Sequence, residues 1–358
     1  MVSFALLVLG VLGSTPFEVR VLERERPVAA TVTAERLRCG ERSLRAPAVL
    51  SVGRGGVAVE GEAEACPRVV LEGGVTVSVG EVRRRYPGLV TVSVEGGLLR
   101  LVNTVDVEAY LPSVVSAELS GAPSAALEAQ AIVSRTFALA GRRRHAREGY
   151  HLCDLTHCQW YRGHEPGQEA AEAAVAKTRG QVLLVGGVAL KSAFFHASCG
   201  GHTSAARDVF GEDGAGPGVS DATTRGPACR EAPDFEWTWQ VERGELASAL
   251  GLEPEGDAFV PLARDRGGRV LEVLCFGRRF SGAAFASRVG RAFGWQRLRS
   301  LAVTATEREG VVSFEGRGAG HGVGFCQRGA QQLAREGADA ASLLGRYFPD
   351  CRVRQAEE

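Results

Sequence analysis

The first hundred residues alternate between short valine-rich runs and glycines, and this pattern constrains the fold more than any other feature of the chain. Between residues 18 and 102 the runs Val49–Val52, Val57–Val59 and Val75–Val79 are each followed within two residues by a glycine. Such short β-branched runs are typical of strands joined by tight turns, and they are too short to form stable helices. The sequence therefore predicts a twisted β region at the start of the chain.

The segments that follow residue 105 favour helices and then a hairpin. Asp106 can cap the first helix, whose apolar positions recur at helical spacing, and the second helix ends in three arginines that suit a helix C-terminus. The predicted elements are helices over Val107–Leu119, Ser124–Arg144 and Ala170–Lys177, and a hairpin of Val182–Val185 and Val188–Phe195 turned by Gly186 and Gly187.

A smaller α+β insert is predicted from Ala232 to Gly294, opened by a strand that carries Trp237 and Trp239. A strand over Val311–Phe314, a glycine-rich loop and a helix from Gln327 to about Arg335 complete the chain. Antiparallel hairpins mixed with a few helices indicate an α+β fold, with a β-rich core and a ligand-binding cleft. The predicted divisions are a signal peptide over 1–16, a β-rich region over 17–101, a core with the acid and His/Cys segments over 102–230, the insert over 231–300, and a closing loop and helix over 301–358.

Charge and composition exclude nucleic acid as a partner. The formal net charge is +0, and aromatic residues make up only 7% of the chain. A nucleic-acid-binding protein needs a basic surface, and one that binds single strands also needs rings on which bases stack. We therefore expect no nucleic-acid partner.

The N-terminus has the pattern of a secretory signal. An apolar stretch from Phe4 to Leu12 precedes small residues and is too short to span a bilayer as a helix. No second apolar run approaches the ~20 residues of a membrane span. We expect a protein exported to the periplasm, the cell wall or the medium, whose membrane contact is limited to this peptide. The alternative for the segment is a buried N-terminal strand.

The nine cysteines suit a protein that folds in an oxidising compartment. Cys275 is expected to be a buried thiol, and spacing alone cannot fix how the others pair. Three candidate disulfides flank short segments of the chain, namely Cys39–Cys66, Cys199–Cys229 and Cys326–Cys351.

Glu118 closes the otherwise apolar first helix. A carboxyl group in such a place can be partly desolvated, which raises its pKa toward the working pH and lets it donate a proton. The alternative is an ordinary solvated glutamate at a helix end. Gln130 and Arg135 on the second helix are candidate ligand-binding residues, or else they lie on an exposed helix face.

A first glycine-containing loop could bring the chain against a ligand. It leaves an apolar strand and would present His196 and Ser198 at the strand end, while Gly200 and Gly201 let the main chain approach closely.

A second loop surrounds His321 with five glycines and leads into Gln327. It lacks the lysine and the Ser/Thr of a phosphate-binding loop, so no nucleotide or organic cofactor is expected. Such a loop could hold His321 against a neutral ligand, although a lone histidine is also commonly structural and glycines also serve simply to make turns.

Cysteines and histidines cluster between residues 145 and 158. Cys153, His157 and Cys158 offer ligands that zinc accepts, and His145 or His151 could supply the fourth. A closed four-ligand site would be structural. The alternatives are a local disulfide between Cys153 and Cys158, or two free thiols.

Together these motifs resemble the stage II sporulation protein D family, which includes amidase-enhancer proteins. The resemblance extends from about Phe17 to Val353, with Phe325-Cys326 where the family commonly has Met-Ser and Ala319 where an aromatic residue is usual. The matching segments are Asn103–Leu111, Ser116–Glu118, Ala129–Thr136, Cys158–Gly163, Ser198–Thr203 and Gly318–Ala330.

The resemblance implies a lytic transglycosylase that cleaves peptide-free peptidoglycan glycan strands, with Glu118 as the catalytic acid/base. It also implies a zinc site that maps onto Cys153, Cys158, His157 and, most naturally, His145. The remaining candidates would then bind sugar hydroxyls and N-acetyl groups, or hold Glu118 in place. These residues are Gln130, Arg135, His196, Ser198, Gly200, Gly201, His321 and Gln327.

One carboxyl group suffices for such a reaction, because the C6 hydroxyl of muramic acid serves as nucleophile in place of water. Ordinary glycosidases place two carboxyls about the scissile bond, and no motif here pairs Glu118 with a second acid. Two alternatives remain open: a non-catalytic glycan-binding protein that stimulates an N-acetylmuramoyl-L-alanine amidase, and a zinc hydrolase with an open metal position.

Overall fold

The computed structural model of the chain describes residues 16–190, 193–211 and 218–356, which fall into two compact units. Unit 1 ends at Val182 and takes up the chain again from Val353, and unit 2 comprises Leu183–Arg352. The predicted signal peptide over 1–16 lies, except for its last residue, outside the described residues. Within these ranges no helix combines the length and the apolar character needed to cross a membrane.

Unit 1 begins with strands that form two sheets. The larger sheet has the order β12-β1-β11-β10-β7-β3-β4 and the smaller one β6-β5-β2-β8-β9. The strands are β1 (Phe17–Val21), β2 (Ala29–Thr33), β3 (Arg36–Cys39), β4 (Arg42–Leu44), β5 (Ala48–Gly53), β6 (Gly56–Val59), β7 (Val69–Glu72), β8 (Val75–Val79), β9 (Val82–Tyr86), β10 (Leu89–Glu95), β11 (Leu98–Val105) and β12 (Leu152–Cys153).

These strands confirm the predicted β region and the α+β class. The valine runs at 49–52, 57–59 and 75–79 lie in β5, β6 and β8. Buried and partly exposed residues alternate strictly along β1 and β11, as expected for antiparallel strands with one face on a core. Among the pairings described for the larger sheet, β1 with β12 is the only parallel one. It places Cys153 beside Arg20.

Three helices complete unit 1 and pack on one another: α1 (Val107–Glu118), α2 (Ser124–Ala140) and α3 (Glu169–Lys177). Asp106 caps α1 as predicted, since its Oδ1 accepts the Glu108 N–H at 2.8 Å. The arginines after α2 continue in 3₁₀ turns over Gly141–Arg143 and Ala146–Glu148. The helix predictions are therefore confirmed to within a few residues.

The chain passes into unit 2 within β13 (Gln181–Val185). The predicted hairpin turn is confirmed, because Gly186 and Gly187 adopt φ of +57° and +84°. The other elements of unit 2 are β14 (Val188–Ala189), β15 (Phe195–His196), α4 (Ala206–Phe210), β16 (Ala222–Thr223), β17 (Gly226–Pro227), β18 (Glu236–Glu242), α5 (Arg243–Leu250), β19 (Val260–Arg264), β20 (Val270–Cys275), β21 (Arg278–Ser281), α6 (Gly282–Phe293), β22 (Val303–Arg308), β23 (Val311–Arg317), β24 (Phe325–Cys326), α7 (Gln327–Arg335) and α8 (Ala340–Tyr347). The last strand is β25 (Arg352–Gln355).

An α+β body forms within unit 2 where the insert is predicted. Two three-stranded sheets, β18-β23-β22 and β19-β20-β21, pack with α5 and α6 around an aromatic core. Trp237 and Trp239 lie in this core, and Cys275 is a buried thiol there, as expected. The sheet includes β22 and β23, so this body continues past residue 300 to Arg317.

One of the three candidate disulfides is confirmed and two are wrong. Cys39 and Cys66 are bonded. Cys199 and Cys229 carry free thiols whose sulfurs lie 3.5 Å apart, and Cys326 and Cys351 are not bonded to each other. Cys326 is the residue before α7, where it lies close to Cys199 and Cys229, so loop flanking alone was a poor guide to its partner.

Candidate functional site

Glu118 is the last residue of α1, and its side chain is half-buried. Its Oε1 accepts the backbone N–H of Trp160 at 3.2 Å. A backbone donor of this kind favours the ionised form of a carboxyl group. Burial raises the pKa of Tyr110 well above its usual value, and the charges of Cys158, Tyr161 and Glu118 add to this effect. The carboxylate therefore lies beside a buried neutral phenol.

The segment that donates to Glu118 is tied into the core of unit 1. Gln159 is buried, accepts the hydroxyl of Tyr110 at 3.1 Å and donates to the Ser134 carbonyl at 3.2 Å. The hydroxyl of Tyr161 donates to Asn103 Oδ1 at 2.7 Å. Because the residues on both sides of Trp160 are fixed in this way, its N–H is preorganised for Glu118.

The side chain of Trp160 points outward while its backbone holds Glu118. The ring is 40% exposed, and the guanidinium of Arg162 lies over it at 4.4 Å from the centroid. The residue whose backbone binds Glu118 thus carries a partly exposed aromatic ring paired with a cation. Neither Trp160 nor Arg162 was singled out from the sequence as a site residue.

Four candidate metal ligands in unit 1 converge as predicted from the spacing. One donor atom each from His145, Cys153, His157 and Cys158 lies within 4.8 Å of the others. His145 Nε2 is 3.3 Å from Cys158 Sγ, and His157 Nε2 is 3.3 Å from Cys153 Sγ. His151 is elsewhere, with its Nδ1 accepting the Glu18 N–H at 2.9 Å. Of the two candidates for the fourth position, the structure brings His145 to the cluster.

A second layer of contacts orients His145. Its Nδ1 is 3.0 Å from Glu148 Oε1, and Tyr150 donates its hydroxyl to Glu148 Oε2 at 2.5 Å. Metal-binding histidines commonly engage a carboxylate through the ring nitrogen that does not bind the metal. The donor set therefore fits a zinc ion bound through Nε2. Glu148 was not singled out from the sequence, although its position three residues after His145 could have indicated this contact.

The cluster is electrostatically suited to a thiolate. A hydrogen bond with the Cys153 thiol lowers the pKa of Cys158 to about 3, with His157 and His145 contributing against the effect of burial. The same hydrogen bond raises the pKa of Cys153, and a hydrogen bond to Cys158 raises that of His157. Deprotonated cysteine is the form that binds metal.

Arg135 and Gln130 are buried in unit 1. Arg135 Nε and an Nη donate to the two carboxylate oxygens of Glu108 at 2.7 and 2.8 Å, and its other Nη donates to the Gln181 carbonyl at 3.1 Å. Gln130 Nε2 donates to Ser134 Oγ at 2.9 Å. Neither residue lies on an exposed helix face, and the pairing of Arg135 favours a structural role over direct contact with sugar.

The candidate residues of the first loop lie in unit 2, where His196 and Ser198 are buried and Gly200 and Gly201 are partly exposed. His196 Nδ1 is 3.0 Å from the Val323 carbonyl, and Nε2 has no hydrogen-bond partner in the part of the chain that the structure describes. Ser198 exchanges backbone hydrogen bonds with Ala319 at 3.1 and 2.8 Å. The first and second loops therefore pack directly on each other.

The loop glycines are required by this packing. Gly200 has φ of +70°, and a Cβ there would lie 2.9 Å from the backbone of Arg317. A Cβ at Gly318 would lie 2.5 Å from the Ser198 carbonyl, and one at Gly201 would lie 3.2 Å from Pro227. These contacts account for the glycines without a ligand.

His321 lies in the middle of the second loop, and Gln327 follows the loop as the first residue of α7. His321 Nδ1 accepts the Val323 N–H at 3.0 Å, and its ring is 5.6 Å from that of His196. Burial, together with the charge of Arg269, lowers the pKa of His321 to about 4. Gln327 is buried at the start of α7. That these residues form one site with Glu118 stays a prediction, because Glu118 belongs to unit 1.

Comparisons with known proteins show which proteins the chain is similar to. Residues 95–184 match the family model SpoIID, described as stage II sporulation protein. Two relatives named stage II sporulation protein D also match over most of the chain. One, from Bacillus amyloliquefaciens, is 25% identical over 72% of this chain and 76% of its own length; the other, from Bacillus subtilis, is 24% identical over the same shares. The chain is therefore similar to stage II sporulation protein D over most of its length, and its residues 95–184 match the SpoIID family model.

The sequence identity to these relatives is low. A further relative, an uncharacterized protein of Brachyspira hyodysenteriae, is 27% identical over 69% of this chain and 66% of its own length. The residues matched by the SpoIID model contain Glu118, Gln130, Arg135 and the whole Cys/His cluster, and they end within β13. The two glycine-rich loops of unit 2 lie outside the matched residues.

Proposed function

We propose that this protein is a lytic transglycosylase that cleaves the bond between N-acetylmuramic acid and N-acetylglucosamine in peptide-free glycan strands. The observation that carries the proposal is the half-buried carboxylate of Glu118, held by the Trp160 N–H within the family-matched residues. Trp160 also carries a partly exposed ring, which would offer an apolar surface on which a sugar ring packs.

Glu118 would act twice in this reaction. As an acid it donates a proton to the glycosidic oxygen while the bond to the muramic anomeric carbon breaks. As a carboxylate it then accepts the proton of the C6 hydroxyl of the same muramic residue, whose oxygen bonds to that carbon. The products are a new glucosamine hydroxyl and a 1,6-anhydromuramic end, and water is not consumed.

The environment of Glu118 supports both steps. The first step needs the protonated carboxyl group and the second needs the carboxylate, to which the Trp160 N–H donates. The anchored segment on both sides of Trp160 keeps this donor in place, so little reorganisation accompanies the proton transfers.

Zinc, in this proposal, is structural. His145, Cys153, His157 and Cys158 would hold it, and four protein ligands leave no position for a catalytic water. The ion would fix the conformation of the segment that leads from Cys158 to Trp160.

The test compares wild type, Glu118→Gln and Glu169→Gln on purified, peptide-free glycan strands, with products measured by mass spectrometry. Glu169 is exposed on α3 and provides the same change in charge away from Glu118. We expect anhydro ends, lighter by one water than hydrolytic ends, from wild type and Glu169→Gln. For Glu118→Gln we expect at least a 10²-fold loss, because positioned proton transfer typically contributes about 10²–10⁴-fold.

Other outcomes favour the alternatives. Ordinary turnover by Glu118→Gln contradicts the acid/base role. Reducing ends that disappear on chelation indicate a zinc hydrolase. Strand binding without any cleavage by wild type, together with stimulation of an added N-acetylmuramoyl-L-alanine amidase, indicates a non-catalytic enhancer. Export beyond the cytoplasmic membrane and the glycan partner belong to the same proposal.

A further inference from the structure

Unit 2 contains a second convergence of metal-binding side chains. Cys199, Asp221, Cys229 and Cys326 each place one sulfur or carboxylate oxygen within 4.8 Å of the others, and all four residues are buried. They come from four separate segments: the first glycine-containing loop, the residue before β16, the residues after β17, and the end of β24. None belongs to the Cys/His cluster of unit 1.

The spacing of the ligand atoms suits a tetrahedral ion. In a zinc site with Zn–S of about 2.3 Å and Zn–O of about 2.0–2.2 Å, neighbouring ligand atoms lie about 3.5–3.8 Å apart. The Cys199 and Cys229 sulfurs are 3.5 Å apart, and Cys199 Sγ is 3.3 Å from Asp221 Oδ2. A disulfide would need about 2.05 Å, and three thiols cannot all be paired with one another.

Backbone N–H groups point at two of the sulfurs. Cys326 Sγ accepts the N–H of Cys199 at 3.2 Å and that of Gly329 at 3.4 Å, and Cys199 Sγ accepts the Gly201 N–H at 3.3 Å. Cys326 is also the N-cap of the nine-residue helix α7, where the helix dipole favours negative charge. Donors of this kind stabilise thiolates, which are the metal-binding form of cysteine.

The carboxylate of Asp221 is oriented by two contacts. Its Oδ1 accepts the Tyr347 hydroxyl at 2.6 Å, and its Oδ2, the oxygen nearest Cys199, accepts the Cys229 N–H at 3.2 Å. A Cβ at Gly329 would overlap the Tyr347 hydroxyl and lie 2.8 Å from Asp221 Oδ2, so glycine leaves room for this arrangement. Outer contacts of this kind are typical of ligands in structural metal sites.

The negative charge of the four ligands would be compensated by a bound cation. Three thiolates and one carboxylate carry a formal −4, and a zinc ion reduces this to −4 + 2 = −2. The buried guanidinium of Arg269 donates to the Cys199 carbonyl and to the His202 carbonyl, which brings the local sum to −2 + 1 = −1. Without a metal these groups would have to stay protonated, because unpaired buried charge is costly.

We propose that Cys199, Asp221, Cys229 and Cys326 bind a structural zinc ion in unit 2. Three sulfur ligands select zinc over magnesium and calcium, and a closed set of four protein ligands leaves no catalytic position. The ion would join the first loop, the β16–β17 hairpin and the start of α7. It would thereby fix the loops that carry His196 and His321.

The test measures zinc per chain by elemental analysis in the full-length protein, in variants of each cluster and in a control. Cys229→Ser and Asp221→Asn should each lose about one zinc ion per chain relative to wild type, whereas Cys275→Ser, which removes a buried thiol outside both clusters, should lose none. Cys158→Ser reports on unit 1 separately, and combined with Cys229→Ser it should leave the protein without zinc. Equal zinc in wild type and Cys229→Ser would overturn the proposal.

A measurement on wild type alone covers the case in which these variants fail to fold. The thiols of Cys199, Cys229 and Cys326 should resist alkylation in the native protein. They should react with the alkylating reagent once the protein is denatured in the presence of a chelator, without any reductant. Zinc should be released in the same step. A Cys199–Cys229 disulfide in the non-reduced peptide map, or alkylation unaffected by chelation, would refute the site.

Discussion

Arg135 shows how burial changes the interpretation of a single residue. Its position on α2 made it a candidate sugar ligand, but its guanidinium is fully buried and binds the Glu108 carboxylate through two parallel hydrogen bonds. Glu108 Oε1 also accepts the Gly180 N–H at 3.2 Å. The pair therefore joins α1 and α2 to the turn before β13.

Removing one partner of this pair should destabilise unit 1. Arg135→Met leaves the Glu108 carboxylate partly buried and without its cation, so we expect a loss of about 3–5 kcal/mol in the free energy of unfolding. The double variant Arg135→Met with Glu108→Met should recover much of this loss. Arg143→Met, at an exposed position, should stay within about 0.5 kcal/mol of wild type. Urea unfolding measures all three; unchanged stability with weaker glycan binding would instead identify Arg135 as a ligand residue.

Contacts between residues that are close in sequence could be predicted, whereas contacts that depend on the tertiary fold could not. Cys153, His157 and Cys158 are close in sequence, so their convergence could be predicted from spacing, whereas spacing alone left His145 and His151 both open as the fourth member. Asp221 and Tyr347 are 126 residues apart and meet only through the tertiary fold. The Trp160 N–H that binds Glu118 is a backbone group, to which no sequence motif points.

At the scale of elements, the segment from His145 to Arg162 acts as one support for the candidate site. It has little regular structure, and its conformation depends on side-chain contacts with α1, α2 and β11. A zinc ion bound by the Cys/His cluster of this segment would stabilise it in place of the backbone hydrogen bonds that a helix or strand would provide.

Glu148 should set the zinc affinity of this segment. Glu148→Gln keeps the size of the side chain but weakens the hydrogen bond that orients His145, so we expect zinc affinity to fall about 10- to 100-fold. Arg147→Gln, at the exposed neighbouring position in the same 3₁₀ turn, should have no effect. Competition with a chromogenic chelator measures the difference, best in a Cys229→Ser background that isolates unit 1. Equal affinities would show that Glu148 does not act on the metal.

Element boundaries were predicted more accurately than long-range pairing. The bounds of β8 and α7 were predicted from glycines, periodicity and valine content, because these are local signals. β22 and β23 form a local hairpin, but β18 pairs with β23 across about 70–80 positions, and no local pattern encodes that pairing. For the same reason the boundary of the α+β body was placed at 300, although its core continues through Val312 and Phe314.

At the scale of the whole molecule, two buried histidines of unit 2 should contribute to acid sensitivity. Burial lowers the pKa of His321 to about 4, and burial with the neighbouring charges of His321 and Arg269 lowers that of His196 well below its usual value. In the unfolded chain histidine titrates near 6.5. Between these values the unfolded state binds protons that the folded state does not, so folding stability falls as the pH drops through this window.

Replacing His321 should flatten this dependence. The lowered pKa of His321, discounted for partial exposure of the ring, corresponds to roughly 2 kcal/mol of folding stability. This stability is lost between pH 6.5 and 4, and none of it is lost above pH 6.5. His321→Asn removes the titration, while the amide oxygen can still accept the Val323 N–H. Urea unfolding followed by the fluorescence of Trp237 and Trp239 in the unit 2 core gives stability at each pH. As the pH falls, the free energy of unfolding should decrease less in the variant than in wild type, and acid effects common to both proteins cancel in the comparison. Parallel plots of this free energy against pH would show that His321 takes up its proton in the folded state.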